Sequence, residues 1–138
     1  MEILNDIDKL INWFDKNFTN ATIDKLHDCK SKLCIYNYRL VDIVAEYHLI
    51  YNKNYFIRKI NIARRKHKEI ANKSTVSKAE TIATVEAADL FEKELESEAT
   101  AKRLENLSKQ INVIIRDIEQ RISTMKIEQK QTNSDGQT

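Results

Sequence analysis

The sequence predicts an all-α protein: a short N-terminal helix plus two long antiparallel helices that form a helical hairpin, or coiled coil, with a three-helix base. Three observations predict this class. The 138 residues include no proline and a single glycine, Gly136, so the residues that usually end helices are missing. Charged residues make up 32% of the chain. Apolar residues recur at steps of three and four, as on one face of a helix.

The first helix is predicted over residues 2–18. Its apolar side chains form one stripe, and the segment 19–22 that follows is rich in threonine and asparagine, which favour helix caps. We therefore expect the first turn at 19–22. The stripe consists of Ile3, Leu4, Ile7, Leu10, Ile11, Phe14 and Phe18.

The second helix is predicted over residues 23–71 without a break. Its first half carries a heptad seam with apolar rows on both sides, which is wider than one partner helix covers. Beyond Ile50 the seam becomes polar, and Asn54 and Asn61 lie at seam positions. A buried polar residue at such a position sets register or oligomer number, so both are candidates for that role. The apolar seam is Leu26, Cys29, Leu33, Tyr36, Leu40, Ile43, Tyr47 and Ile50.

The third helix is predicted over residues 77–127. Residues 72–76 form the turn before it, and Ser77 with Glu80 fits a capping box, in which each side chain bonds a free backbone N–H at the helix start. The polar residues 129–138 are predicted to form a disordered tail. Residues 1–128 are expected to form a single elongated helical domain.

Folding the chain near residue 75 places the second and third helices antiparallel over their full length. The strong seam at 26–47 then lies beside the strong seam at 103–124, and the first helix has the right length to cover the rest of the apolar stripe. A three-helix base and a two-helix arm result. A two-helix arm has a thin core, so self-association along the arm is expected.

Several classes of protein are not supported by the sequence. No apolar stretch approaches the ~20 residues that a membrane span needs, and no basic and apolar leader opens the chain, which predicts a cytoplasmic protein with no membrane contact. If the gene belongs to a phage, the compartment is the host cytoplasm. Glycine-rich phosphate loops and His-x-x-x-His are missing, so neither catalysis nor a cofactor is predicted. Asp24 and His27 share one face but lack a matching pair elsewhere, so no metal site is predicted.

The charges are divided between two neighbouring stretches. Residues 53–78 carry nine basic residues against the single acid Glu69, and residues 80–98 carry seven acids against Lys93. The basic stretch could neutralise nucleic-acid phosphates, with tyrosines stacking on unpaired bases. Alternatively, the hairpin places it beside the acidic stretch, and the two pair with each other. The nucleic-acid-binding candidates are Arg58, Lys59, Arg64, Arg65, Lys66 and Lys68, with Tyr51 and Tyr55 for stacking.

Three segments resemble the small helical accessory proteins of phage replication and recombination, above all the recombination mediators of T-even phages. They are the tyrosine- and lysine-rich stretch Tyr47 to Lys68, the acidic and alanine-rich helix Ala79 to Glu98, and the closing run Ile111 to Ile122. The resemblance implies a ring-like homo-oligomer that binds single-stranded DNA and helps to load a recombinase.

Two hypotheses for function remain open from the sequence. The first is a non-enzymatic, homo-oligomeric accessory protein of phage type that binds single-stranded DNA or RNA, or a protein that processes nucleic acid. The second is a structural or protein-binding coiled-coil module without nucleic-acid contact, such as a virion component, an assembly factor or an inhibitor of a host protein.

Overall fold

A computed structural model describes residues 1–136, and they form an all-α structure. The helices are α1 (Glu2–Asn17), α2 (Ile23–Ala71), α3 (Val76–Glu86) and α4 (Ala88–Asp135). Residues 1–136 are 91% helical, and α2 and α4 contact each other heavily. The predicted class, an all-α helical hairpin, is confirmed.

The residues pack into two compact units. Unit 1 contains Met1–Val41 together with the chain from Asn106 onward, and unit 2 contains Asp42–Glu105. The helices α2 and α4 contribute residues to both units, whereas α1 belongs to unit 1 and α3 to unit 2. That residues 1–128 form a single domain stays a prediction.

Unit 1 has an apolar core to which three helices contribute. From α1, Ile7 and Phe14 are buried, and Tyr36 of α2 donates a hydrogen bond to Asp6 at 3.4 Å. Lys30 of α2 pairs with Glu119 of α4 at 2.9 Å, as an antiparallel pairing requires. This is the three-helix base that the wide stripe of α2 predicts. The buried side chains from α2 and α4 are Leu26, Cys29, Leu33, Leu40, Ile111, Ile114, Ile118 and Ile122.

Burial has a chemical consequence for one residue of this core. Cys29 is 2% exposed, and desolvation, followed by the nearby charge of Asp28, raises the pKa of its thiol. A thiol of raised pKa forms little of the reactive thiolate. Cys34 is exposed, and both cysteines are free.

Unit 2 has a core of small and polar side chains. Its buried apolar residues are four alanines and one leucine, and Glu94 and Ser97 are buried with them. Small side chains let two helices approach closely but remove little apolar area from water. The apolar members of this core are Ala79, Ala83, Ala87, Ala101 and Leu104.

The turn between α2 and α3 ends α2 in a Schellman motif. Lys73 has a positive φ of 68°, Lys73 N–H donates to the Ile70 carbonyl, and Ser74 N–H donates to the Glu69 carbonyl, both at 3.0 Å. Thr75 then caps α3, since its hydroxyl accepts a hydrogen bond from Lys78 N–H at 3.2 Å. The predicted turn at 72–76 is therefore correct, but the cap is Thr75 and not Ser77.

The third predicted helix differs from the structure in two respects. A single turn residue, Ala87, separates α3 from α4, although hydrogen bonds at 3.1 Å and 2.9 Å still link Ala87 N–H to Ala83 and Phe91 N–H to Ala87. The preceding Thr84 and Val85 are β-branched and favour a helix less than their neighbours do. In addition, α4 extends through Asp135, so residues 129–135 are helical where the sequence predicts a disordered tail. Residues 129–131 are glutamine and lysine, which are good helix formers, whereas the residues from Thr132 to Asp135 are not, so propensity accounts only for the first part of the extension. The predicted tail also includes residues 137–138, which lie outside the described residues.

Candidate nucleic-acid interface

The basic residues of α2 in unit 2 fall into two groups. Consecutive residues of a helix point about 100° apart, so a cluster such as 64–68 is spread around the helix and cannot face one partner. Some of these cations point toward α3 and α4, and the others point toward solvent.

Arg58 points toward α4 and forms an ion pair with a buried carboxylate. Its Nε contacts the carboxylate of Glu94, and its Nη2 donates to Glu94 Oε1 at 3.2 Å. The two side chains are 18% and 7% exposed. Hydrogen bonding to Glu94 raises the pKa of the Arg58 guanidinium above its usual value. The guanidinium carbon also lies 5.0 Å from the ring centre of Phe91 and 5.5 Å from that of Tyr55, within cation–π range.

Arg65 and Lys66 also pair with carboxylates. Arg65 Nη2 lies 2.7 Å from Glu69 Oε1 in the same helix, and Arg65 Nε lies 2.9 Å from Glu86 Oε2 in α3, at an angle that makes this contact an ion pair and not a hydrogen bond. Lys66 Nζ lies 2.7 Å from Glu80 Oε1. Three of the six candidate cations are thus engaged with acids of α3 and α4.

Arg64 and Lys68 have a different environment. Both are exposed, and within residues 1–136 neither forms an ion pair. They are four residues apart, so they lie on the same side of α2. With Asn61 and Arg65 they line a groove whose other wall contains Glu86 and Leu90.

The remaining candidates lie next to Arg58. The Nζ atom of Lys59 is 5.4 Å from the ring centre of Tyr55, and the guanidinium of Arg58 is near the same ring. Tyr55 and Tyr51 are both half-buried. Arg58 and Lys59 thus both lie within cation–π distance of the ring of Tyr55.

The two seam asparagines are in different positions. Asn54 is half-buried and donates hydrogen bonds to Ser97 Oγ at 3.2 Å and to the Lys93 carbonyl at 3.4 Å, so it links α2 to α4. Asn61 is exposed and donates to the Ile57 carbonyl of its own helix at 2.8 Å. Asn54 can therefore fix the register of the hairpin, whereas Asn61 makes no link between helices in the described residues.

Sequence reasoning missed two sets of polar contacts between helices. Glu94 and Ser97 are the buried partners of Arg58 and Asn54. In unit 1, Ser108 Oγ donates to Asn37 Oδ1 at 2.8 Å, and Asn37 Nδ2 donates to Asn112 Oδ1 at 3.0 Å. The sequence does indicate that Glu94, Ser97 and Ser108 face the neighbouring helix. These residues continue the three- and four-residue spacing of Leu90, Ala101 and Leu104.

Two negative findings apply to the part of the chain that the structure describes. Over residues 1–136, no group of three or more His, Cys, Asp or Glu side chains could hold a metal ion. None of the four helices combines the length and the apolar character needed to cross a membrane, again over 1–136.

Comparisons of the chain with protein-family models, with curated proteins and with solved structures found no match. The resemblance to phage recombination accessory proteins therefore stays a prediction from the sequence.

Proposed function

We propose that this chain is a non-enzymatic, self-associating helical protein that binds single-stranded nucleic acid through α2 of unit 2. Arg64 and Lys68 neutralise neighbouring phosphates, and the side chain of Asn61 borders the same groove. Its place in phage recombination or replication, and its location in the host cytoplasm, are part of the same proposal.

The observation that carries the proposal is the separation of the cations into paired and unpaired groups. Arg58, Arg65 and Lys66 are held by carboxylates, so binding a phosphate would first require breaking an ion pair. Arg64 and Lys68 are exposed on one side of α2 without such a partner in the described residues. Binding a phosphate there releases counterions and breaks no contact within the protein.

The proposal is tested by measuring the binding of a labelled single-stranded DNA oligonucleotide across a salt series. The variant Arg64→Ala/Lys68→Ala should bind more weakly than the parent. For single strands, the slope of log affinity against log salt changes by about 0.7 per phosphate contact, so two lost contacts should reduce its magnitude by about 1.4. An RNA oligonucleotide of the same sequence shows whether the sugar matters.

The chain offers a matched control for the loss of charge. Lys126 and Lys130 are also exposed, four residues apart and without an ion pair in the described residues. The variant Lys126→Ala/Lys130→Ala changes net charge by the same amount, and its binding should equal that of the parent. Equal binding by the two double variants, or no salt-dependent binding by the parent, would contradict the proposal.

A second candidate function is a protein-binding coiled-coil module without nucleic-acid contact. It is favoured by the large apolar side chains that α2 exposes, among them Phe56 and Ile60. Under this alternative, no salt concentration gives binding to the oligonucleotide, and the mass in solution changes only with protein concentration or with a protein partner.

A further inference from the structure

In unit 2, α2 carries an apolar strip on the side that faces away from α3 and α4. We define the α2 strip as Leu49, Phe56, Ile60 and Ile70, which are 53%, 62%, 47% and 43% exposed. With Ala63 they follow steps of seven, four, three and seven residues, the spacing of a coiled-coil seam.

The same copy of the chain leaves this strip uncovered. Asn54 and Arg58 make the hydrogen bonds to α4, so they mark the inner side of α2. At 3.6 residues per turn, Phe56 and Ile60 lie roughly opposite to them. A contiguous apolar patch of this kind on a protein surface marks an interaction site.

Basic residues border the α2 strip. Lys53 and Lys59 are exposed beside it, and neither forms an ion pair within residues 1–136. No acid occurs between Glu46 and Glu69 in the sequence. A partner helix with an apolar stripe and acidic borders would therefore match it.

One flank of α4 in unit 2, next to the face that packs on α2, has the complementary character; the ring of Phe91 on this flank lies against the guanidinium of Arg58. Phe91 and Leu95 are 44% and 48% exposed, and we define them as the α4 strip. Asp89, Glu92 and Glu96 are exposed around them and form no ion pair in the described part of the chain.

We infer that the α2 strip of one copy packs against the α4 strip of a second copy. This inference rests on the self-association in the proposed function and is independent of nucleic-acid binding. Pairing two α2 strips would bring Lys53 and Lys59 near the same residues of the other copy, and like charges across an interface oppose association. The α2–α4 pairing joins opposite charges instead.

The two surfaces differ, so the contact is heterologous. Every copy retains one free α2 strip and one free α4 strip after it has bound a neighbour. Such a contact closes into a ring when the rotation between copies allows it, and otherwise grows into a filament.

The inference is tested by blocking the two strips separately and measuring mass in solution, without nucleic acid. The variant Phe56→Gln/Ile60→Gln blocks the α2 strip, and Glu92→Lys/Leu95→Lys blocks the α4 strip. Each alone should have the mass of one chain, 16.2 kDa. An equimolar mixture should contain dimers of twice that mass and nothing larger, because one intact strip of each kind remains.

Other outcomes would overturn the inference. If the α4-blocked variant assembles like the parent, the α4 strip is not part of the contact. The α2 strips then pair with each other, or a different surface joins the copies. If both blocked variants keep the parent's mass, self-association uses another surface. A parent that stays at 16.2 kDa at every concentration removes both this inference and self-association, while the oligonucleotide titration still decides nucleic-acid binding separately.

A second set of variants changes only exposed charges, so that folding is not at issue. Reversing Lys53 and Lys59 to Glu should shift the assembly midpoint to higher protein concentration. Adding Glu92→Lys and Glu96→Lys to the same chain should restore it toward the parent value. If the combined variant assembles no better than the Lys53→Glu/Lys59→Glu variant, the inferred pairing between basic residues beside the α2 strip and acidic residues beside the α4 strip is wrong.

Discussion

Both units of this chain contain part of α2 and part of α4, but they bury different kinds of side chain. Among residues 1–136, six large side chains are fully buried, and all of them belong to unit 1, namely Ile7, Leu26, Leu33, Leu40, Ile111 and Ile118. Unit 2 buries alanines and a leucine together with Glu94 and Ser97, and it exposes large apolar residues such as Phe56.

Because of this difference, the two units are expected to contribute differently to the stability of the fold and to the choice of helix register. Burying apolar area contributes about 25 cal/mol per Å² and has no directional preference. A buried ion pair such as Arg58–Glu94 adds little net stability, because desolvating both charges offsets their attraction, but it penalises any other register. Unit 1 is therefore expected to supply most of the free energy of folding, and unit 2 to supply register and binding surface.

The largest expected effect compares one leucine from each unit. Leu33 in unit 1 is fully buried, and Leu49 in unit 2 is 53% exposed. Leu33→Ala should lower the free energy of unfolding by about 2–5 kcal/mol, since it removes apolar contacts and leaves a cavity. Leu49→Ala should change it by no more than about 0.5 kcal/mol.

Chemical denaturation followed by circular dichroism measures both effects. The experiment is done at a concentration at which the mass in solution is that of one chain, so that only folding is observed. Equal losses for the two variants would mean that the units do not differ in how they are stabilised.

A smaller effect is expected from breaking the buried ion pair of unit 2. Glu94→Ala leaves Arg58 without its hydrogen-bond partner, and a hydrogen bond to a charged group contributes about 1.5–3 kcal/mol. Replacing both residues by leucine should recover most of that loss, because neither charge is then left unpaired. Denaturation of the two single leucine variants and the double variant completes a double-mutant cycle. A double variant as unstable as the sum of its singles would show that the pair is not coupled.

Much of the fold could be predicted because the signals are local. The bounds of α2 agree with the predicted 23–71, and the turn lies at 72–75, one residue shorter than the predicted 72–76. The wide stripe of α2 correctly required a third helix in the base. These predictions depend on short-range spacing and caps, which a sequence records directly.

The inner face of α2 in unit 2 was harder to predict. A fixed heptad from Cys29 leads to Ile50, Ile57 and Arg64, which are all exposed in the structure. An α-helix has 3.6 residues per turn, so it drifts by about 20° per heptad, or nearly one residue over four heptads. The inner face is therefore shifted by one position, to Tyr51, Arg58 and Arg65.

That shift decides which cations are free. A seam through Arg64 would place it against α3 and leave Arg65 outside, whereas the structure pairs Arg65 with Glu86 and exposes Arg64. The list of basic candidates followed from composition. Dividing these candidates into paired and unpaired cations requires knowing how the helix is rotated about its own axis. No single motif in the sequence gives that rotation.

The smallest effect is expected at the turn between α2 and α3 in unit 2, where a lysine occupies a position that glycine would fill with less strain. Lys73 occupies a left-handed conformation that a residue with a Cβ adopts at a cost of about 1–2 kcal/mol, and glycine is favoured at this position of a Schellman motif. Lys73→Gly should therefore raise the free energy of unfolding by about 1 kcal/mol, although added freedom in the unfolded chain reduces the gain.

Asn20, in the turn between α1 and α2 of unit 1, provides the matched control. Lys73 is the only residue other than glycine with positive φ in residues 1–136, so Asn20→Gly relieves no strain and should be neutral or destabilising. Thermal melts of the two variants distinguish these cases. Stabilisation by both substitutions would mean that glycine acts through something other than the backbone at Lys73. Stabilisation by Lys73→Gly alone would show that unit 2 keeps a strained turn, which unit 1 does not need.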